Sequence, residues 1–241
     1  MKFAIYAQVY KPSNNAIVKS LIEAIQNKDG EISFEQSYYN ELIKEKIIEP
    51  VFETFTNHID LADDTKFFVS IGGDGTMLRA ANFVKSKNVP IVGINAGRLG
   101  FLANVQQEAI SELIPLLFEN KYTLSRRTLL KLDSPEPSQT PFEINFALNE
   151  ITISRKNTTS MITIETYLNE EFLATYWADG IIISTPTGST GYSLSCGGPI
   201  ITPDSNCLVI TPIAPHNLTT RPLIINDRSR IKMKIAGREP Q

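Results

Sequence analysis

The sequence predicts an α/β plus β-rich fold: an N-terminal parallel-sheet α/β domain followed by a C-terminal all-β domain. Three observations carry this. Strand and helix signals alternate through the first half, the rhythm of βαβ units. After the polar, proline-containing stretch from Asp133 to Pro141, strand signals dominate. The 241 residues are also enough for two modest domains, each with a core of its own. The expected division is an α/β domain over residues 1–121 and a β-rich domain over 122–241.

Taken in order, Lys2 to Val9 is strand-like. From Asn14 onward, Ile17, Val18, Leu21, Ile22 and Ile25 recur at helical spacing, with Ser13 or Asn14 available as N-cap and Gly30 beyond the end. Lys66 to Ile71 is a short apolar run stopped by Gly72 and Gly73. Gly75 to Lys85 is helix-like, and Val89 to Asn95 is again a strand. Gln107 to Phe118 reads as a helix that Pro115 should kink or shorten. In the second half Phe142, Ile144, Phe146 and Leu148 alternate, then Ile151 and Ile153 alternate on the opposite parity, so the phase slips at Asn149-Glu150. Such a slip marks a bulge or a corner, which is also a way to aim polar side chains into a site. Ile162 to Leu168 and Phe172 to Trp177 form a hairpin around Asn169-Glu170. Ile181 to Ile183, Leu208 to Ile213, Leu223 to Ile225 and Ile231 to Ile235 supply the remaining strands.

Composition narrows the function. With 42% hydrophobic and 20% charged residues, the chain reads as an ordinary globular protein. Its net charge of −3 argues against coating nucleic acid, which takes a concentrated Lys/Arg surface, but leaves room for one or two bound nucleotides. No stretch approaches the roughly 20 apolar residues needed to span a bilayer, so no membrane role is expected. The N-terminus reads as a strand rather than a signal peptide. With only Cys196 and Cys207, the expected setting is a reduced cytoplasm. His58 and His216 lie far apart, and no zinc-ligand pattern occurs.

Two segments carry chemistry. Gly72-Gly73-Asp74-Gly75-Thr76 lies between a buried strand and a helix, where glycines let the backbone approach a phosphate and the first helical amides point at it. Neither a Walker A loop nor a Rossmann fingerprint fits. An acid inside such a turn suits a carboxylate that accepts a proton from an attacking alcohol, or it is a plain helix N-cap. The second segment, Ser184 to Ser193, is built almost wholly from Gly, Ser, Thr and Tyr. It is either a polar loop or a lining of hydroxyls and amides with one ring able to stack on a base.

These segments resemble the NAD kinase family. Gly72 to Thr76, continuing into Met77-Leu78-Arg79-Ala80, looks like its GGDGT motif, and Asn149-Glu150 matches its NE motif. Asp179-Gly180 through Ser184 to Ser195, closing on Gly197-Gly198-Pro199-Ile200, is similar to its most extended signature. Pro212 to His216 with Arg221-Pro222-Leu223 resembles its PHxLxxRP pattern. GGDG alone is also found in lipid kinases and phosphofructokinases; all four motifs in order are specific.

The resemblance implies transfer of the γ-phosphate of ATP to the 2′-hydroxyl of the adenosine ribose of NAD. Asp74 would be the general base, with Gly75 holding the turn beside it, Gly72 and Gly73 in the same nucleotide-binding turn, and Arg79, one helical turn on, either meeting a phosphate or solvated on the helix surface. Asn149 and Glu150 would meet the nucleoside part, with Asp179 likewise at the nucleotide; Thr190, Gly191, Tyr192, Ser193, Leu194 and Ser195 would line the adenine and ribose pocket, with Thr187 also binding the nucleotide. A divalent cation, Mg²⁺, would arrive with ATP, and the expected assembly is a homodimer or homotetramer. The resemblance also implies a longer C-terminus, so either a truncated β-rich domain or an atypically short member of the family is expected. The alternatives are a non-catalytic NAD-binding fragment and a lipid kinase built on the same GGDG turn.

Overall fold

The computed structural model describes residues 1–84, 87–97, 100–133, 145–156 and 160–236. Lys85, Phe142, Ile144, most of the polar stretch from Asp133 to Pro141, and Gly237 to Gln241 lie outside the described residues. The chain divides into two compact units, Met1–Leu124 and Ser125–Gln241.

In the first unit, β1 (Lys2–Tyr6), α1 (Asn15–Gln26), β2 (Glu31–Glu35), α2 (Gln36–Lys44), β3 (Glu53–Phe55), β4 (Thr65–Gly72), α3 (Asp74–Val84), β5 (Ile91–Asn95) and α4 (Ile110–Phe118) follow one another. The five strands form one parallel sheet in the order β3-β2-β1-β4-β5. Alternation along β4 explains the layers. Phe67, Val69 and Ile71 join Ile17, Leu21, Ile25, Ile110 and Ile114 on one face, while Phe68 joins Ala80 and Val84 of α3 on the other. β2, α2 and β3 escape the periodicity reading because they are brief: β2 has three buried residues and β3 only one. Asn14 does precede α1, but its side chain makes no capping bond. α4 runs through Pro115 after a 3₁₀ turn at Gln107–Ala109. The carbonyl that Pro115 cannot bond belongs to Ser111, which is exposed.

Among its described residues the second unit is built of strands apart from a 3₁₀ turn at Thr187–Thr190 and one short helix. β6 (Leu130–Lys131) pairs with β7 (Phe146–Ala147). β8 (Glu150–Ser154), β9 (Ile162–Leu168), β10 (Glu171–Ala178) and β11 (Gly180–Ser184) follow, then a short helix α5 (Tyr192–Ser195), β12 (Cys207–Ile213), β13 (Leu223–Asn226) and β14 (Ile231–Ala236). These make antiparallel sheets in the orders β13-β12-β11-β8 and β10-β9-β14. Ile162, Ile164 and Tyr176 from one sheet pack with Ile181, Ile183, Leu208 and Ile210 from the other. The hairpin turns at Asn169 and Glu170 with φ of 51° and 68°, the two left-handed residues that a tight hairpin twist requires. The phase slip at Asn149-Glu150 is a corner. β7 belongs to one sheet and β8 to another, so the chain changes partners where its parity changes. Among the described residues, no helix is long and apolar enough to cross a membrane.

Candidate functional site

β4 delivers the chain to Gly72, and α3 begins at Asp74. This turn lies at the carboxyl edge of the sheet, beside β1, where successive strands stop adding on one side and start adding on the other. Open α/β sheets hold ligands at that switch point. The turn's glycines differ. Gly72 has φ 156°, and a Cβ there would collide with the Thr76 side chain, so the turn itself requires it. A Cβ on Gly73 or Gly75 would meet nothing within 4 Å. Nothing among the described residues demands glycine at these two positions. They leave open space beside the first amides of α3, which have no partner within their own helix.

Asp74 does not cap its helix. The Gly73 carbonyl accepts the amides of Thr76 (3.0 Å) and Met77 (3.2 Å), while the Asp74 side chain turns to the segment after β5. Its Oδ2 accepts the Phe101 amide at 2.9 Å, and its Oδ1 accepts those of Leu102 at 2.9 Å and Ala103 at 3.1 Å. Burial works to raise its pKa, but the amides of Leu102, Ala103 and Phe101 outweigh it and hold the carboxyl below the usual range. Arg79 stands exposed on α3, close enough for its charge to act on the Tyr6 hydroxyl at the end of β1. Burial pushes that hydroxyl up and Arg79 works against the rise.

In the second unit Thr185 ties the corner to the hydroxyl-rich loop. Its amide donates to the Asn149 carbonyl (2.9 Å), its Oγ1 donates to the Leu148 carbonyl (2.5 Å), and that Oγ1 accepts the Gly188 amide (3.1 Å). A Cβ on Gly188 would collide with the Asn149 backbone. One on Gly191 would lie 3.4 Å from Glu150 Oε2 and 3.9 Å from Asn149 Nδ2. The loop and the Asn149-Glu150 pair are therefore one cluster. Asn149 Oδ1 and Glu150 Oε2 are buried with no hydrogen-bond partner among the described residues, and burial raises the pKa of Glu150. A buried acceptor left unpaired costs about 1–3 kcal/mol, more when charged, so two such oxygens side by side make this cluster a candidate ligand site.

Two family profiles match this chain in order. The ATP-NAD kinase N-terminal domain covers residues 5–122 and the ATP-NAD kinase C-terminal domain covers 148–241. The chain belongs to the NAD kinase family. It is 54% identical to an NAD kinase of Flavobacterium psychrophilum over 99% of this chain and 81% of that protein. It is 45% identical to one of Cytophaga hutchinsonii with the same coverage. Among solved structures it is similar to yeast NADH kinase complexed with NADH, with a TM-score of 0.86 at 26% identity over 98% of this chain and 72% of that one. It is also similar to an Archaeoglobus fulgidus NAD kinase in complex with ATP, with a TM-score of 0.70 at 26% identity over 98% of this chain and 81% of that one.

The remaining residues matched to NAD kinase motifs are placed as follows. Thr187 and Thr190 lie on a 3₁₀ turn, and the Thr187 hydroxyl accepts Arg127 Nη1 at 3.3 Å. Tyr192, Leu194 and Ser195 on α5 are exposed, Tyr192 by 47%. Ser193 is fully buried, with its hydroxyl bonded to that of Thr211 at 2.8 Å. Asp179 stands apart. β8 and β11 run antiparallel, with Glu150 opposite Ser184 and Ser154 opposite Gly180. Asp179 therefore lies at the other end of β11, roughly 16 Å along the strand, ion-paired to Arg155 at 3.0 Å. Motif reading overlooked Arg127, the Asn95 side chain and the amides of residues 101–103. The signal for the last was available: two glycines, Gly97 and Gly100, just after a strand and before an exposed Phe101.

Proposed function

We infer that the chain transfers the γ-phosphoryl group of ATP to the 2′-hydroxyl of the adenosine ribose of NAD, giving NADP. The observation that carries this is the pair of kinase-family matches, in order, along almost the whole chain. The geometry of the two clusters supports it. Phosphoryl transfer through a loose transition state asks mainly for alignment and charge neutralisation. The open face at Gly73 and Gly75, with the first-turn amides of α3, suits the phosphates of ATP, with Arg79 a further cation one turn along. Asp74 receives the ribose hydroxyl. A carboxylate held below the usual range is a weak base, but little bond forms to the nucleophile early, so its larger duty is to orient that hydroxyl.

Asn149 and Glu150 take the amino and hydroxyl donors of the nucleoside, which supply the partners their buried oxygens lack. Tyr192 offers its exposed ring, with Thr187, Thr190, Gly191, Leu194 and Ser195 as its neighbours along the loop, while Ser193 holds the loop to β12 through Thr211. Asp179 would contact a more distant part of the dinucleotide. ATP enters as its Mg²⁺ complex, the cation held on phosphate oxygens. The expected assembly is a homodimer or homotetramer in the cytoplasm.

The test is direct. The 241-residue chain, incubated with NAD, ATP and Mg²⁺, should form NADP, detected with an NADP-specific dehydrogenase. NAD binding without NADP formation would instead assign a non-catalytic binding module.

A further inference from the structure

We propose that Gly100 is a positioning residue for Asp74. It lets the amides of Phe101, Leu102 and Ala103 close on the carboxylate so that Oδ2 alone is left to receive the substrate hydroxyl. This rests on the kinase reading above.

Lone-pair counting identifies the oxygen. Each carboxylate oxygen has room for two in-plane donors. Oδ1 already takes two, from Leu102 and Ala103, and Oδ2 takes one, from Phe101. An incoming hydroxyl therefore finds its vacant acceptor position on Oδ2.

The donors are held by more than the bonds they make to Asp74. Ala103 is fully buried, and a Cβ added to Gly93 of β5 would lie 2.9 Å from its Cα. The amide of Asn95 donates to the Val105 carbonyl (2.7 Å), and that of Val105 to the Gly93 carbonyl (3.2 Å), stitching the segment to the edge of β5. The Asn95 side chain clamps it again, with Nδ2 donating to the Ala103 carbonyl at 3.0 Å and Oδ1 accepting the Gly97 amide at 2.8 Å. Against this fixed base, Gly100 is the point of closest approach: a Cβ there would collide with the Asp74 carboxyl. Gly100 has no functional group, yet any side chain at this position drives apart the carboxylate and its three donors. Preorganised donors that fix a reacting group's direction are worth far more than their bonds alone when alignment is the main source of rate.

The experiment is a double-mutant cycle of Gly100→Ala and Asp74→Asn, with NADP formation by the unmodified chain as the control for the kinase reading itself. Gly100→Ala should lower kcat about 100-fold, the low end of the contribution made by a positioned acid or base, with KM for ATP within about 3-fold of the parent. It should also move the acid limb of the pH profile of kcat/KM upward, because the amides that hold Asp74 down are withdrawn. In the Asp74→Asn background the same change should cost less than about 3-fold, since two residues acting through one carboxylate are not additive. Full turnover in Gly100→Ala, or an equal loss with and without Asp74, would overturn the proposal. Should Gly100→Ala fail to fold, amide NMR of the unmodified chain decides. NAD should shift the Phe101 amide, which shares Oδ2 with the ligand, more than those of Leu102 and Ala103; the reverse order would overturn the assignment of Oδ2.

Discussion

The two clusters treat their carboxylates in opposite ways. Asp74 is surrounded by donors from its own chain, three backbone amides at 2.9–3.1 Å, and its pKa is lowered. Glu150 has a buried oxygen with no partner among the described residues, and its pKa is raised by burial. One is a finished anion that needs nothing from a ligand to be stable. The other is an acceptor that the described residues leave without a donor. That difference supports the roles proposed for them, Asp74 directing chemistry and Glu150 recognising a substrate: the first is in place before a ligand arrives, and the second would gain from the ligand's arrival.

The largest effect should come from breaking the first. Asp74→Asn keeps the shape but replaces one acceptor oxygen with a donor that faces a backbone amide. Turnover should fall at least about 100-fold while NAD still binds, because Asp74 is not among the groups we assign to the nucleoside. Steady-state NADP formation together with calorimetric NAD binding checks both halves. A variant with parental turnover would remove Asp74 from the chemistry. Next comes Glu150→Gln, which fills the same space without charge. NAD affinity should drop about 5- to 10-fold, the difference between a charged and a neutral acceptor, while the free chain becomes no less stable. A loss of stability instead would mean that Glu150 is held by a partner in the free chain.

Much of this was legible in the sequence, and the boundary is instructive. The sheet of the first unit follows from apolar runs stopped by glycine, and Gly72 to Thr76 was marked by having an acid where phosphate loops do not carry one. The corner at Asn149-Glu150 was visible as a change of parity. What could not be read was which chain segments meet. Nothing local to Asp74 says that its partners lie at residues 101–103, because side-chain to backbone bonds leave no requirement on residue type at the donor. Gly100 was visible as a glycine, but the collision that explains it depends on a residue 26 positions away. In the same way Ser193 fits the motif, whereas its burial against Thr211 is set by β12, a strand read from its own pattern alone. The turn glycines are the sharpest case. Gly72 and Gly73 are neighbours of one type, yet the first is required by the fold and the second by nothing among the described residues. Gly73→Ala should accordingly leave the melting temperature within about 1 °C while raising KM for ATP, whereas Gly72→Ala should cost about 1–3 kcal/mol of stability.

The smallest effect, and the most discriminating, is the sign of the pH dependence of stability. Asp74 is depressed below its ordinary 3.8, so the stability it contributes is fully present above that value and is lost as pH falls through the depressed one. Glu150 is raised above its ordinary 4.5, so the folded chain binds its proton more tightly than the unfolded chain does. Its effect runs the other way, with stability falling as pH climbs from 4.5 through the raised value. Denaturant melts across this range should show a downward slope above pH 4.5 that Glu150→Gln abolishes and Asp74→Asn leaves intact. Saturating NAD should flatten the same slope, because donors brought to Glu150 favour its ionised form and draw its pKa back down. For the same reason NAD affinity should rise with pH through that region. A slope that persists in Glu150→Gln would place the unpartnered carboxylate elsewhere. A slope that NAD leaves unchanged would separate Glu150 from the nucleoside and make the opposition between the two carboxylates a matter of folding alone.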